Sequence, residues 1–212
     1  MVVLCRQIGI IQLVLIPKVK NPQCIKDLRP ISLCSVIYKI VSKILTNRLK
    51  RFIGEIISQN QSAFIPGHLI TDNVLVAYEM THFIKHKRSG NGYMAVKLDM
   101  GKAYDRIEWN FLEAMLYKLG FHSKWVSLLM KCVWSVTYSI KVNGELTDVI
   151  NPQRGLRQGV PLSSYLFLIV AEGFSSLLHT AEQQGLIEGV KICPTAPSVS
   201  HLLHISSLLM IL

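Results

Sequence analysis

The chain has 212 residues, half of them apolar, which is enough for one sizeable domain or two small ones that share a core. This composition argues against intrinsic disorder and against coiled-coil architecture. Its 23 Lys and Arg outnumber 13 Asp and Glu, and the formal charge of +10 favours a polyanionic partner over a small neutral substrate.

The basic surplus is concentrated near the start of the chain, where the first predicted elements lie. Ile11–Ile16 predicts a strand that Pro17 ends, and residues 18–29 predict a polar loop. Val36–Ile53 predicts an amphipathic helix, with its apolar residues on one side and basic residues on the wet side. The apolar set is Ile37, Ile40, Val41, Ile44, Leu45, Leu49 and Phe52, and the basic set is Lys39, Lys43 and Lys50.

The remaining elements alternate between helices and strands without a regular repeat. A helix is predicted over Val74–Ile84, with Thr71 or Asp72 as its N-cap. Asn143-Gly144 lies between alternating segments, which is a strong β-hairpin signal because a type I′ turn needs positive φ at both central residues. The order predicts an α+β fold. Its other members are a strand at 93–99, helices at 112–119, 124–134 and 161–178, and strands at 186–192 and 202–212.

Two short segments carry candidate chemistry, each with a plainer structural alternative. Asp99 ends a predicted strand before an open turn, where its carboxylate could hold a magnesium ion or simply cap the next helix. Residues 151–162 form a Gly-rich loop with two arginines before a helix, which is compatible with a phosphate cradle or with an ordinary surface loop.

Cysteine, histidine and hydropathy patterns give weaker indications. The five cysteines contain no CxxC pair, which predicts reduced, buried thiols in an intracellular protein, without distinguishing nucleus from cytoplasm. The apolar stretch at 8–16 is too short to span a bilayer and no cleavage site follows it, so no membrane partner is expected. His82 and His86 have a metal-compatible spacing, but without a third ligand nearby a solvated helix face is favoured.

Taken together, these motifs resemble the reverse transcriptases of non-LTR (LINE-type) retrotransposons, especially the plant kind. Two segments resemble the first two palm motifs: Leu98-Asp99-Met100-x-Lys102-Ala103-Tyr104-Asp105-Arg106-x-Glu108-Trp109 and Gly155-Leu156-Arg157-Gln158-Gly159-x-Pro161-Leu162-Ser163-x-Tyr165-Leu166-Phe167. Four others resemble fingers segments in the family's order: Leu15-Ile16-Pro17-Lys18, Leu28-Arg29-Pro30-Ile31-Ser32-Leu33, Asn47-Arg48-Leu49 and Gln61-Ser62-Ala63-Phe64-x-Pro66-Gly67.

The resemblance implies a partial right-hand polymerase fold with an RNA template, a DNA primer and deoxynucleotides as partners. It predicts a fingers-like region at 1–92 and an incomplete palm at 93–212, with no thumb. Within that palm, the first-Asp motif lies at 97–109, a hairpin at about 137–150 and the Gln-Gly motif at 155–167.

The resemblance also implies a role for individual residues. Asp99 matches the first magnesium-binding aspartate, with the Met100 carbonyl beside it, and Tyr104 matches the aromatic gate that stacks under the incoming sugar and excludes a 2′-hydroxyl. Gln158 and Gly159 match the loop that packs on the nucleotide and template, and Arg29 lies near the triphosphate and template path. The basic surplus is then interpreted as contact with a nucleic-acid backbone, through Lys18, Lys39, Lys43, Lys50 and Arg51.

One departure from the family decides the functional prediction. The family supplies its other metal ligands as an adjacent Asp pair in a hairpin, and here Ser206 and Ser207 occupy those positions. No Asp occurs after Asp148, so no shift of register restores the pair. We therefore expect no productive magnesium binding and no DNA polymerisation. Two alternatives stay open: a non-catalytic nucleic-acid-binding module, and a polymerase whose missing carboxylates come from elsewhere.

Overall fold

The structure is a computed structural model that describes two compact units. The described residues are 10–211 without 59, 60, 62, 63, 66, 68, 89, 91, 143, 192–198, 200, 205 and 206. The first unit comprises the chain up to Arg51 together with Tyr104–Phe167, and the second comprises Phe52–Ala103 and the chain from Leu168 onward. This division follows internal contacts, so the fingers-palm boundary at residues 92 and 93 stays a prediction.

Helices and strands alternate irregularly along the described residues, which agrees with the predicted α+β class. The strands are β1 (Ile10–Pro17), β2 (Leu28–Leu33), β3 (Ala95–Asp99), β4 (Thr137–Val142), β5 (Glu145–Leu146), β6 (His201–His204) and β7 (Ser207–Ile211). The helices are α1 (Val36–Leu49), α2 (Ile53–Ile56), α3 (Ile70–His86), α4 (Trp109–Lys118), α5 (Ser123–Trp134) and α6 (Pro161–Gln183). Two 3-10 turns lie at Ile25–Asp27 and Ala103–Arg106.

The first unit contains a mixed four-stranded sheet in the order β2-β1-β4-β5. The predicted hairpin is confirmed, since β4 and β5 pair antiparallel with Val142 opposite Glu145, and Gly144 has a φ of +94°. The predicted loop at 18–29 is wrong at its end, because β2 begins at Leu28. Pro30 lies opposite Leu15 in that strand, which is tolerated because β2 is an edge strand of the sheet.

Helix α1 buries a different face from the predicted one. Its buried residues are Tyr38, Ser42, Leu45, Thr46 and Leu49, whereas Ile37, Ile40, Val41 and Ile44 are exposed. The polar members bond inside the helix, where the Thr46 hydroxyl donates to the Ser42 carbonyl at 2.7 Å, so their burial leaves no hydroxyl without a partner. Most of the predicted apolar face therefore lies on the surface.

The second unit contains a three-stranded antiparallel sheet in the order β3-β7-β6. The single strand predicted over 202–212 is wrong, because this segment forms a hairpin of β6 and β7. The strand predicted over 186–192 is also wrong within the described residues, where Val190 makes only an isolated bridge to Val199. Both segments are strongly apolar, and apolarity alone does not distinguish a strand from a loop that a neighbour covers.

Two helices of the chain refine other expectations. The N-cap of α3 is Leu69, not Thr71 or Asp72, and the Asp72 carboxylate accepts from the Leu69 N–H at 2.9 Å. Helix α6 is long and apolar enough to cross a bilayer, but 61% of its most apolar window is buried in the structure, as in the core helix of a soluble protein. Among the cysteines of the described ranges, Cys34 and Cys132 are buried, whereas Cys24 is exposed.

Candidate active site

Asp99 is the last residue of β3 and lies directly opposite Ser207 in β7. His204, the last residue of β6, is also paired with Ser207, so these two positions lie at the Asp99 end of the sheet. Ser206 lies outside the described residues. Asp99 is exposed and Met100 behind it is half-buried. The backbone pairing thus brings position 207 across from Asp99, and the metal-binding roles stay predictions.

The donor groups at this sheet end do not fit a two-ion magnesium site. Two ions about 3.5–4 Å apart repel each other, so several carboxylates must bridge them. The paired positions here offer one carboxylate, at Asp99, and a serine at 207. Among the described residues, no group of three or more His, Cys, Asp and Glu side chains could hold a metal. A neutral hydroxyl supplies no formal charge, so Asp99 and position 207 do not make a ligand set for two magnesium ions.

In the first unit, hydrogen bonds join the two segments that resemble palm motifs. The Gly155 N–H donates to the Ile107 carbonyl at 2.7 Å, and the Leu156 N–H donates to the Tyr104 carbonyl at 2.8 Å. The Trp109 indole Nε1–H donates to the Gly155 carbonyl at 2.9 Å. The turn around Tyr104 and the loop before Gln158 are therefore joined by hydrogen bonds, although about fifty residues of sequence separate them.

Gly155 is the residue that permits this close approach. Its φ is +90°, and a Cβ built there would lie 3.1 Å from the Asp105 carbonyl oxygen and 3.2 Å from the Asp105 Cα. Both contacts are with backbone, which cannot rotate away. Any side chain at position 155 would be strained by the positive φ and would also clash with the Asp105 backbone.

The Tyr104 ring is held in place from two sides. It stacks on Phe167 with ring centroids 4.8 Å apart and planes inclined by 10°. Burial raises the pKa of Tyr104, and a side-chain hydrogen bond with Ser164, which opposes this rise, fixes the phenol end. Tyr104 is half-buried, and its role beside the incoming sugar stays a prediction.

Gln158 and Gly159 lie in the loop that leads into α6. Gln158 is half-buried, whereas Gly159 is exposed with a φ of +91°. A Cβ at Gly159 would meet only Ile31, at an ordinary 4.0 Å, so its backbone is open on the solvent side. Arg29, also exposed, lies in β2 opposite Ile16. The structure leaves all three predicted nucleotide contacts in the first unit, and their roles stay predictions.

Arg157 is buried, although the sequence predicted a phosphate cradle or a surface loop at this position. It is only 7% exposed, so it does not belong to an open phosphate cradle. Its Nη1 donates to the Cys132 carbonyl and its Nη2 to the Val133 carbonyl, both at 2.8 Å, and Nη1 also donates to the Tyr38 hydroxyl. Burial raises the pKa of Tyr38, which the nearby Arg157 charge opposes. Arg157 therefore ties the loop before Gln158 to the ends of α1 and α5.

A small cavity accompanies this buried guanidinium. The Arg157 Nε–H has no partner among the described residues, and a cavity of about 10 Å³ is lined by Arg157, Tyr138 and Ser163. That volume is close to the smallest that holds one water molecule. Of the residues on α1, Tyr38 belongs to this network, and its polar hydroxyl on a buried helix position was a local signal for it in the sequence.

The predicted backbone-binding cations are all on the surface of the first unit. Lys39, Lys43 and Lys50 are exposed on or just after α1, and Lys18 and Arg51 are exposed as well. Lys18 Nζ also donates to the Lys26 carbonyl at 2.9 Å. Surface exposure is what contact with phosphates requires, while the contact itself stays a prediction.

Comparisons with known proteins give a consistent assignment. The family model described as reverse transcriptase (RNA-dependent DNA polymerase) matches residues 16–193. The chain is 37% identical over 165 residues to the Transposon TX1 uncharacterized 149 kDa protein of Xenopus laevis, covering 78% of this chain and 12% of that protein. It is 29% identical over 180 residues to the Pol polyprotein of retrotransposable element R2 of Popillia japonica, covering 84% of this chain and 25% of the relative.

A shorter match and a solved structure complete the picture. Over 62 residues, 29% of this chain, it is 42% identical to the uncharacterized mitochondrial protein AtMg01250 of Arabidopsis thaliana, of which this covers 51%. The structure of Candida albicans telomerase with a TWJ fragment of telomeric RNA matches with a TM-score of 0.62 at 13% identity, over 96% of this chain and 38% of that one. At that identity the likeness shows a shared polymerase fold.

Proposed function

Since the chain belongs to the reverse transcriptase (RNA-dependent DNA polymerase) family, as a domain of the non-LTR retrotransposon type, we propose that it is a form of this domain that does not polymerise DNA. The observation that carries the proposal is the pairing of Asp99 with Ser207 at the sheet end where the family has its Asp pair. The chain spans 12% and 25% of the TX1 and R2 relatives, so the activity of a whole retrotransposon protein is likewise a proposal.

The size of the expected defect follows from the missing charge. Two metal ions contribute several kcal/mol to the transition state of in-line nucleotidyl transfer, and each 1.36 kcal/mol changes the rate about tenfold. With hydroxyls in place of two of three carboxylates, most of that contribution is lost. Tyr104, Gln158, Gly159 and Arg29 are proposed to retain the shape of a nucleotide site.

A primer-extension assay tests this proposal directly. The full chain is incubated with an RNA template, an annealed DNA primer, deoxynucleotides and magnesium, beside an active reverse transcriptase as a positive control. We expect no extension product above background. Magnesium-dependent incorporation that disappears in the Asp99→Asn variant would overturn the proposal, because it would show a working site that includes Asp99.

The exposed cations of the first unit favour a second candidate function, a nucleic-acid-binding module without catalysis. Lys39, Lys43 and Lys50 project from one basic helix region, and no enzyme chemistry is needed for phosphate contact. Salt-dependent binding of RNA or DNA that is lost when these three lysines are changed to Glu would support it. Retention of binding by the triple variant would contradict it.

Three finer parts of the proposal concern origin and location. The motif resemblance supports a plant LINE-type element as the source, and the absence of CxxC pairs supports an intracellular location. The largely buried α6 supports a protein without a membrane partner. Expression of a tagged chain in plant cells, followed by fractionation, tests the last two. Recovery in the culture medium would contradict the intracellular location, and recovery in a membrane pellet that resists high salt would contradict the absence of a membrane partner.

A further inference from the structure

Helix α3, in the second unit, carries a column of aromatic rings on its surface. Tyr78, His82 and His86 are spaced four residues apart and so share one face of the helix. The ring centroids of Tyr78 and His82 are 6.5 Å apart with planes inclined by 27°. Those of His82 and His86 are 4.1 Å apart with planes inclined by 33°. We call these three residues the α3 ring column.

The ring column is a surface feature and not part of the core. Tyr78 is 67% exposed, and both histidines are exposed. The other side of the helix is buried through Met80, against which Phe83 and Tyr93 pack. The helix therefore has a separate apolar face for folding, and the ring column is not needed to complete it.

Local bonding orients the rings of this column, and all three residues are exposed to solvent. The His86 Nδ1 lies 2.8 Å from the His82 carbonyl oxygen, and since a carbonyl only accepts, Nδ1 carries the proton of this bond. This hydrogen bond ties the His86 ring to the preceding turn of the helix. Exposed rings that are already aligned lose little conformational entropy when another flat ring stacks on them.

The charge around the ring column is mainly positive. Lys85 and Arg88 are exposed at the end of α3, and Lys87 Nζ lies 3.9 Å above the Tyr93 ring. Glu79 is the exposed acid beside Tyr78, while the Asp72 carboxylate is used by the Leu69 N–H. A ligand that places a flat ring on the column would therefore find cations for its phosphates within the same segment.

We propose that the α3 ring column is a stacking surface for unpaired bases of single-stranded nucleic acid. Every base has a π-face, so stacking of this kind tolerates any sequence, and the neighbouring cations match the phosphates. Exposed Val74 and Leu75 precede the column on α3, but the rings themselves are accompanied by cations, which favours a nucleic acid over a protein partner. A metal ion is not favoured, since His86 Nδ1 is engaged and no third ligand completes a cluster among the described residues. The proposal goes beyond the function proposed above, because it needs neither Asp99 nor Ser207.

Fluorescence anisotropy with a labelled single-stranded 12-nucleotide RNA, and with a duplex of equal length, tests the proposal in the full chain. For His82→Ala and Tyr78→Ala we expect single-strand affinity to fall about five- to tenfold, at the lower end of the stacking contribution measured per base. The ring-keeping variants His82→Phe and Tyr78→Phe should bind within about twofold of the original chain. Leu186→Ala, which removes an exposed aliphatic side chain of the same unit outside α3, is the matched control and should have no effect.

The dependence on salt separates stacking from charge attraction. Stacking releases no counterions, so His82→Ala should leave the slope of log K against log salt unchanged, whereas Lys85→Gln should reduce it by about 0.7. The proposal is overturned if the intact chain does not bind the single strand, or if His82→Ala binds it normally. It is also overturned if His82→Phe loses as much affinity as His82→Ala, or if duplex binding falls equally. None of these results depends on primer extension, so the stacking proposal and the proposed loss of DNA polymerisation are tested independently.

Discussion

Replacing Ser207 by Asp places a second carboxylate in the register position opposite Asp99, at the end of the three-stranded sheet. Opposed Cα atoms of an antiparallel pair are about 4.5–5.5 Å apart. Two carboxylates about 5 Å apart repel by roughly 1 kcal/mol at the dielectric constant of water and about 3 kcal/mol at an effective value of 20. Asp99 is exposed, so the lower figure applies.

Without divalent ions, the Ser207→Asp chain should therefore unfold at a lower temperature than the original, by about 2–4 °C for a chain of this size. Magnesium should reverse the loss, because an ion between the two carboxylates binds the folded state and removes their repulsion. The original chain, with one carboxylate at this position, should respond much less.

Thermal unfolding followed by circular dichroism, in EDTA and in a magnesium series, measures both effects. Ser207→Asn is the matched control, since it has nearly the shape of Asp without the charge. Asp99→Asn combined with Ser207→Asp removes the partner and should abolish the magnesium response. If Ser207→Asp and Ser207→Asn melt alike and magnesium changes neither, the proposed juxtaposition of the two positions is refuted.

Three other predictions concern residues that make contacts within one of the two units. Arg157→Ala should lower the free energy of unfolding by about 2–4 kcal/mol in urea titrations, because two buried carbonyls lose charge-assisted hydrogen bonds. The control Arg154→Ala, at an exposed position, should lower it by under about 1 kcal/mol. Equal small losses in the two variants would mean that desolvation of the Arg157 guanidinium cancels the stabilisation from its hydrogen bonds. Gly155 and Gly159 both have a positive φ, which costs an alanine about 1–2 kcal/mol at either position. Only at Gly155 would the new Cβ also meet a backbone oxygen, at 3.1 Å, so Gly155→Ala should have a clearly lower melting temperature than Gly159→Ala. Equal melting temperatures would contradict this prediction. Burial raises the pKa of Glu172 above its ordinary value of 4.5, so the free energy of unfolding should fall as the pH rises from 4.5 toward the raised pKa. Glu172→Gln has no carboxyl group at this position and should show a flatter profile of melting temperature against pH. An unchanged profile in this variant would contradict the prediction.

Local sequence signals predicted the elements whose formation depends on neighbouring residues. Asn143-Gly144 predicted the β4–β5 hairpin because Asn and Gly are the residue types that adopt positive φ most readily. The helical spacing over 124–134 predicted α5, which spans Ser123–Trp134. β2 was missed because Pro30 indicates a loop locally, and only its place at the edge of a sheet makes that proline acceptable.

For the candidate site, the sequence alone determined the chemistry: which carboxylate is present at Asp99, which are replaced by serine, and the family to which the motifs belong. Three other features follow from the fold: position 207 is paired with Asp99, Arg157 is buried while Arg154 is exposed, and the isoleucines of α1 lie on the surface. The physical reason is that donor type and charge belong to a single residue. Burial and register depend on segments far apart in the chain, since Arg157 is anchored by carbonyls of α5 and Asp99 is paired with a strand more than a hundred residues away.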